Sequence, residues 1–195
     1  MVLVKNDISA TWRGLESQVE KGKVKKLGMS NFAPQLIRQV QSTARIQPSI
    51  FQSELHCQNA QNNLIRFAKE SGMRVEAYSP FGASSYKALP FHLGKKGGEN
   101  SDDFLVTNSV IKNIADKHGK TPHQILLRWS LQRGTCPISK TTSTTRMFEN
   151  RHIFDFELDV EDIRLMSSLD RNIKYNDPVK YTEQLFGTFC PIYMD

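Results

Sequence analysis

A chain of 195 residues with 38% hydrophobic and 24% charged residues is long enough for one domain that buries about 70% of its unfolded surface. No apolar run approaches the ~20 residues of a membrane span, and MVLVKNDIS lacks the apolar core of a signal peptide, so the chain reads as a cytoplasmic globular protein. The net charge of +6 comes without an arginine-rich run interleaved with aromatics, which leaves an anionic small molecule in view and nucleic acid out of it. Cys57, Cys136 and Cys190 are odd in number and widely spaced, which excludes a CxxC site and reads as buried free thiols.

Taken in order, Trp12, Leu15 and Val19 have helical spacing over 9–20, with Ser9 or Thr11 as the cap and Gly22 as the stop. Residues 23–31 predict a strand closing in GMSNF, and Pro34 opens a helix through Leu36, Ile37 and Val40. The unit repeats as a strand over 49–55 and a helix over 62–70 that ends at Gly72. A third strand over 74–79 is broken by Pro80, Phe81 and Gly82. The stretch 83–107, rich in Gly, Ser, Lys and Asn, is either a lid over a ligand or a poorly ordered insertion. Val110, Ile111, Ile114 and Ala115 mark a helix ending at Gly119, and Thr121-Pro122 starts another with Ile125, Leu126, Trp129 and Leu131 as its buried stripe. The fourth strand, 136–138, runs into PISKTTSTTRMFEN at 137–150. Asp159 opens a last helix, and a tail without strong period follows from Arg171.

Four alternations of strand and helix favour a parallel sheet covered by helices, in which ligands sit beyond the carboxyl ends of the strands. Polar groups gather at those ends: Ser30 and Asn31, Gln52 and Glu54, Tyr78 and Ser79, Lys140 and Thr141. The last cluster is the most informative. A helix start presents unpaired N–H groups and a positive dipole worth ~0.3–1 kcal/mol to an anion. Here it is joined by Lys140, three hydroxyls and, one turn on, Arg146. Charge-assisted bonds from such an arginine add ~1.5–3 kcal/mol each. Two readings stand for these residues alone, a phosphate site or a capped surface helix with solvated charges. Tyr78 likewise reads as a flat stacking face or as a core ring.

Together these residues resemble the aldo-keto reductase family, NADP-dependent oxidoreductases on a (β/α)8 TIM barrel. The resemblance runs from about Trp12 to Asn172. GMSNF at 28–32 is similar to the end of the fifth barrel strand, FQSELHCQ at 51–58 more loosely to the sixth, and AYSPFG at 77–82 to the seventh. KTTSTTRMFEN at 140–150 is similar to the adenosine-phosphate site and is the most specific of the four. The resemblance implies an α/β fold made of the second half of the barrel, strands five to eight with their helices, as one truncated domain over 1–195 with 171–195 as the substrate-loop equivalent. It implies that Ser30, Asn31 and Gln52 hold a nicotinamide carboxamide and that Tyr78 stacks on the ring. Ser79, Pro80, Phe81 and Gly82 would close over the pyrophosphate. Lys140, Thr141, Thr142, Ser143 and Arg146 would bind the ribose phosphate, and Glu149 and Asn150 the adenine. The two cations favour NADP(H) over NAD. Ser139 and Cys57 stand where the family commonly has proline.

The family's catalytic tyrosine, with its lysine, aspartate and histidine, belongs to the first half of the barrel, ahead of the strands matched here. None of His56, His92, His118, His123 and His152 sits in that histidine's context, and all five read as surface or core residues. The expectation is a chain that binds NADP(H), lacks the catalytic tetrad and is inactive alone, with a small carbonyl substrate only when another half completes it. A regulatory or interaction module that binds NADP without catalysis is the alternative, and a nonfunctional truncated product is a third reading. Two exposed strand edges would favour pairing with a second copy.

Overall fold

The computed structural model describes residues 7–82 and 104–176. Most of the stretch read as a lid or an insertion over 83–107, namely 83–103, lies outside the described residues, as do the tail beyond 176, His92 and Cys190. Helix α1 (Ile8–Glu20) begins at Asp7, whose Oδ1 accepts the N–H groups of Ser9 at 2.9 Å and Ala10 at 3.1 Å. The cap is therefore neither Ser9 nor Thr11, because Asp7 is the last extended residue and its carboxylate reaches both first-turn amides. Trp12 and Glu16 dock α1 onto the chain near residue 46. The indole Nε1 donates to the Ile46 carbonyl, and the Glu16 carboxylate accepts the N–H groups of Arg45 at 2.7 Å and Ile46 at 2.9 Å. The Ile46 amide, outweighing burial, holds the Glu16 carboxyl below the usual carboxylate range.

Strand β1 (Gly28–Ser30) is much shorter than the 23–31 expected. Lys23, Lys25 and Lys26 are exposed, and the ladder begins only where the Ser49 N–H reaches the Leu27 carbonyl at 2.8 Å. Gly28 permits the approach to the next strand, since a Cβ there would lie 2.9 Å from the Ile50 oxygen. The elements that follow are α2 (Pro34–Thr43), β2 (Ile50–Glu54), α3 (Asn62–Glu70) and β3 (Arg74–Tyr78). Beyond the undescribed stretch come α4 (Ser109–His118), α5 (Pro122–Gln132), β4 (Cys136–Ile138), α6 (Thr144–Arg151) and α7 (Val160–Ser167). Thr121 and Gln124 form a capping box at the start of α5, and Asp159 and Asp162 form one at α7.

The four strands form one parallel sheet in the order β1-β2-β3-β4. Side chains alternate across it. Met29, Phe51, Val75 and Ala77 are buried against Trp12, Ile37, Val40, Ile65 and Ala68 of the covering helices. The opposite face carries a row in register, Ser30, Gln52, Glu76 and Cys136, with Ser30 and Cys136 exposed and the middle two half-buried. Cys136 is thus an exposed thiol rather than the buried one expected, because it falls on the face that the described helices leave open at this row. Cys57 is buried as expected, in a second core with Ile111, Ile125, Leu126, Trp129 and Met166, where burial pushes its thiol pKa far up. Asp162 ties α7 to α4 by accepting from Lys117 Nζ at 2.8 Å and His118 Nε2 at 2.7 Å. No helix among the described residues is long and apolar enough to cross a membrane.

Candidate functional site

β3 and β4 stay paired to their last residues, Tyr78 and Ile138, and the segments that leave them wall a cleft of about 660 Å³, within the range of small-molecule and cofactor pockets. Its walls are Tyr78, Ser79, Pro80, Phe81 and Gly82 after β3, and Lys140, Thr141, Thr142, Ser143, Arg146 and Asn150 around the start of α6. These eleven of the fifteen residues expected to bind cofactor share one surface. Ser30, Asn31, Gln52 and Glu149 lie outside the lining.

At the α6 end, Ser143 caps the helix by accepting the Arg146 N–H at 3.4 Å, and its own N–H is taken by Thr141 Oγ1 at 3.1 Å. Thr144 and Thr145 are the first helical residues, so their N–H groups have no acceptor within the helix. Two such amides, the dipole, Lys140 and Arg146 together make an anion cradle. Helix α6 buries none of its residues and depends on α5 for its position. The Gln124 side-chain amide donates to the Glu149 carbonyl at 3.2 Å and to the His152 carbonyl at 2.9 Å. Ser139 accepts from Asn150 Nδ2 at 3.1 Å, a contact proline could not offer.

At the β3 end, the Tyr78 hydroxyl donates to Asn31 Oδ1 at 3.1 Å and accepts from Asn176 Nδ2 at 3.0 Å. Asn31 and Ser79, the residues that follow β1 and β3, both take positive φ, 60° and 52°, the local strain that re-aims a chain leaving a sheet. Gln52 stands across from Ser30 in register and commits its Nε2 to Glu76 Oε2 at 2.9 Å. Asn31, Ser30 and Gln52 therefore form a polar shelf continuous with Tyr78 through the Asn31 bond.

Sequence reasoning missed Val106, His123 and Ile138 as wall residues, and it treated Ser139 only as a loop change. His123 is not the plain surface or core residue expected. It sits on the first turn of α5, packs edge-on to Phe81 with ring centroids 4.8 Å apart, and faces the cleft. Burial first, and then the Arg146 guanidinium, hold its ring below the usual histidine pKa, against an opposing pull from Glu149. The signal was present in Thr121-Pro122, which fixes the helix start and so places residue 123 at the same end of the sheet as Lys140. His56, His118 and His152 are engaged elsewhere, with Glu54, Asp162 and the Phe148 carbonyl.

The family model for the aldo/keto reductase family matches residues 2–171. A probable NAD(P)H-dependent D-xylose reductase of Emericella nidulans is 40% identical over 179 residues, 92% of this chain and 54% of the relative. The NAD(P)H-dependent D-xylose reductase of Scheffersomyces stipitis is 41% identical over 171 residues, 88% of this chain and 52% of the relative. The chain spans about half the length of the curated relatives it matches. Among solved structures, a Bombyx mori aldo-keto reductase in complex with NADP superposes with a TM-score of 0.79 at 29% identity, covering 92% of this chain and 56% of that one. The aldose reductase of Schistosoma japonicum gives 0.78 at 28% identity, with 96% and 54% covered. A parallel α/β sheet with a polar cleft at its strand ends, matched by the family model over most of its length, places this chain in the aldo/keto reductase family.

Proposed function

We propose that the cleft binds NADP(H) and that this chain is the cofactor-holding part of an aldo-keto reductase, matching strands five to eight of the barrel. The observation that carries it is the convergence of Lys140 and Arg146 on a capped helix start across the cleft from the Tyr78–Gly82 turn. That separation suits a long ligand with an anionic end and a flat end. Lys140, Thr141, Ser143, Arg146 and the main chain at Thr142 hold the ribose phosphate, with Glu149 and Asn150 beside the adenine. Ser79, Pro80, Phe81 and Gly82 lie along the pyrophosphate. Ser30, Asn31 and Gln52 hold the carboxamide while the Tyr78 ring covers the nicotinamide, whose chemistry when bound is hydride donation to a carbonyl.

Taken alone, the chain does not reduce aldehydes or ketones, because the family's tyrosine acid and its three partners belong to strands ahead of those matched here. The alternative, an NADP-binding regulatory or interaction module, draws support from the two outer strands, whose edges are unpaired among the described residues and suit a partner or a second copy. NADPH titration followed by fluorescence tests the binding reading. Saturable binding that falls about tenfold or more in Arg146→Ala is expected, the size of one lost charge-assisted contact. Absence of binding sinks the proposal. NADPH-dependent turnover of an aldehyde by the pure chain overturns inactivity, and binding without turnover plus a stable partner selects the module.

A further inference from the structure

Glu54 ends β2 with its side chain almost completely buried, and it gathers donors from both sides. Oε1 accepts from His56 Nε2 at 2.9 Å and from the Tyr175 N–H at 2.8 Å, and Oε2 accepts the Asn176 N–H at 2.9 Å. A carboxylate taken out of water is costly unless such donors satisfy it, so the carboxylate and the segment at 175–176 hold each other in place. Tyr175 is also buried. Its hydroxyl donates to Gln58 Oε1 at 2.7 Å, and its ring lies against Gly82, where an added Cβ would come 3.4 Å from Cε2.

The backbone so held brings one side chain to Tyr78, a wall residue of the cleft. Asn176 Nδ2 donates to the Tyr78 hydroxyl at 3.0 Å, and that hydroxyl donates to Asn31 Oδ1 at 3.1 Å. Through its backbone N–H and its side-chain amide, Asn176 thus links a buried carboxylate to the Tyr78 hydroxyl and, beyond it, to the Asn31 amide. We infer that Glu54 is a positioning residue for the nicotinamide end of the cofactor site, acting through Asn176 on Tyr78 and Asn31. This inference rests on the NADP(H) reading above. It divides the site into two ends with separate supports, Glu54 for one and the capped α6 start for the other.

The test compares two probes on the full chain: NADPH, and 2′,5′-ADP, which carries the phosphate and adenine but no nicotinamide. Glu54→Gln keeps the shape but exchanges an acceptor for an NH₂ group, leaving one of the donors without a partner. The expected result is NADPH binding weakened about tenfold with 2′,5′-ADP binding unchanged. Asn176→Ala, which leaves Glu54 and its burial intact, gives the same selective loss and decides the matter if Glu54→Gln does not fold. The double variant loses no more than either single one. Equal weakening of both probes in both variants shows a merely structural role and overturns the inference, as does unchanged NADPH binding. A wild-type chain that binds neither probe removes the cofactor reading itself. One that binds both, with Glu54→Gln and Asn176→Ala matching it, removes this inference alone.

Discussion

His123 and Arg146 face the same cleft and carry like charge whenever the imidazole is protonated. Burial and that neighbour set the folded pKa below the usual 6.5. The neutral ring is therefore the one the fold prefers, and the sign of the linkage follows. Stability from this group is full above about pH 6.5 and is lost as pH falls from there through the folded pKa. His123→Gln should flatten the melting temperature between pH 7 and pH 5 relative to wild type, and an unchanged slope would remove the claim. The cationic part of the site was legible because Lys140 and Arg146 lie six residues apart in one helix-start pattern. His123 was not, since Phe81 and Arg146, its neighbours, come from other elements.

At the scale of the element, α6 is a short helix with no buried residue that nonetheless carries Arg146 and Asn150. Its position comes from Gln124, which closes the α5 capping box with one end of its amide and with the other grips the carbonyls of Glu149 in α6 and of His152 just past its end. Thr121→Ala should cost about 1 kcal/mol, an ordinary cap loss, and leave NADPH binding within about twofold. Gln124→Ala should cost roughly 1–3 kcal/mol, because it strands acceptors as well as a cap, and should weaken NADPH binding with it. Urea unfolding and cofactor titration on the same variants check both. Equal effects of the two substitutions on binding would show that α6 does not depend on this tie. The Thr-Pro start of α5 and the Asp159 start of α7 were readable because capping is local. The Asp7 cap and the brevity of β1 were not, because each is decided by where the backbone meets a partner rather than by residue type.

For the whole molecule, the alternation of strand and helix was visible in the periodicity, and so was the placement of polar residues at strand ends. What the periodicity could not give is the contrast between the two faces of the sheet. Phe51 and Val75 are sealed by helices, whereas Gln52 and Glu76 satisfy one another beside exposed neighbours. Among the described residues, two outer strands and a face left open along the row from Ser30 to Cys136 predict self-association: sedimentation at rising concentration should show mass growth above the 22.3 kDa monomer. A constant monomer mass would count against it. The uncovered face also contains its own reporter. With Cys190 replaced by serine, Cys136 is the exposed thiol and Cys57 the sealed one. A maleimide should then react quickly at one position, and the rate at which that reaction slows with added chain, or with any polypeptide that closes over the sheet, reads out coverage of this face without reference to activity.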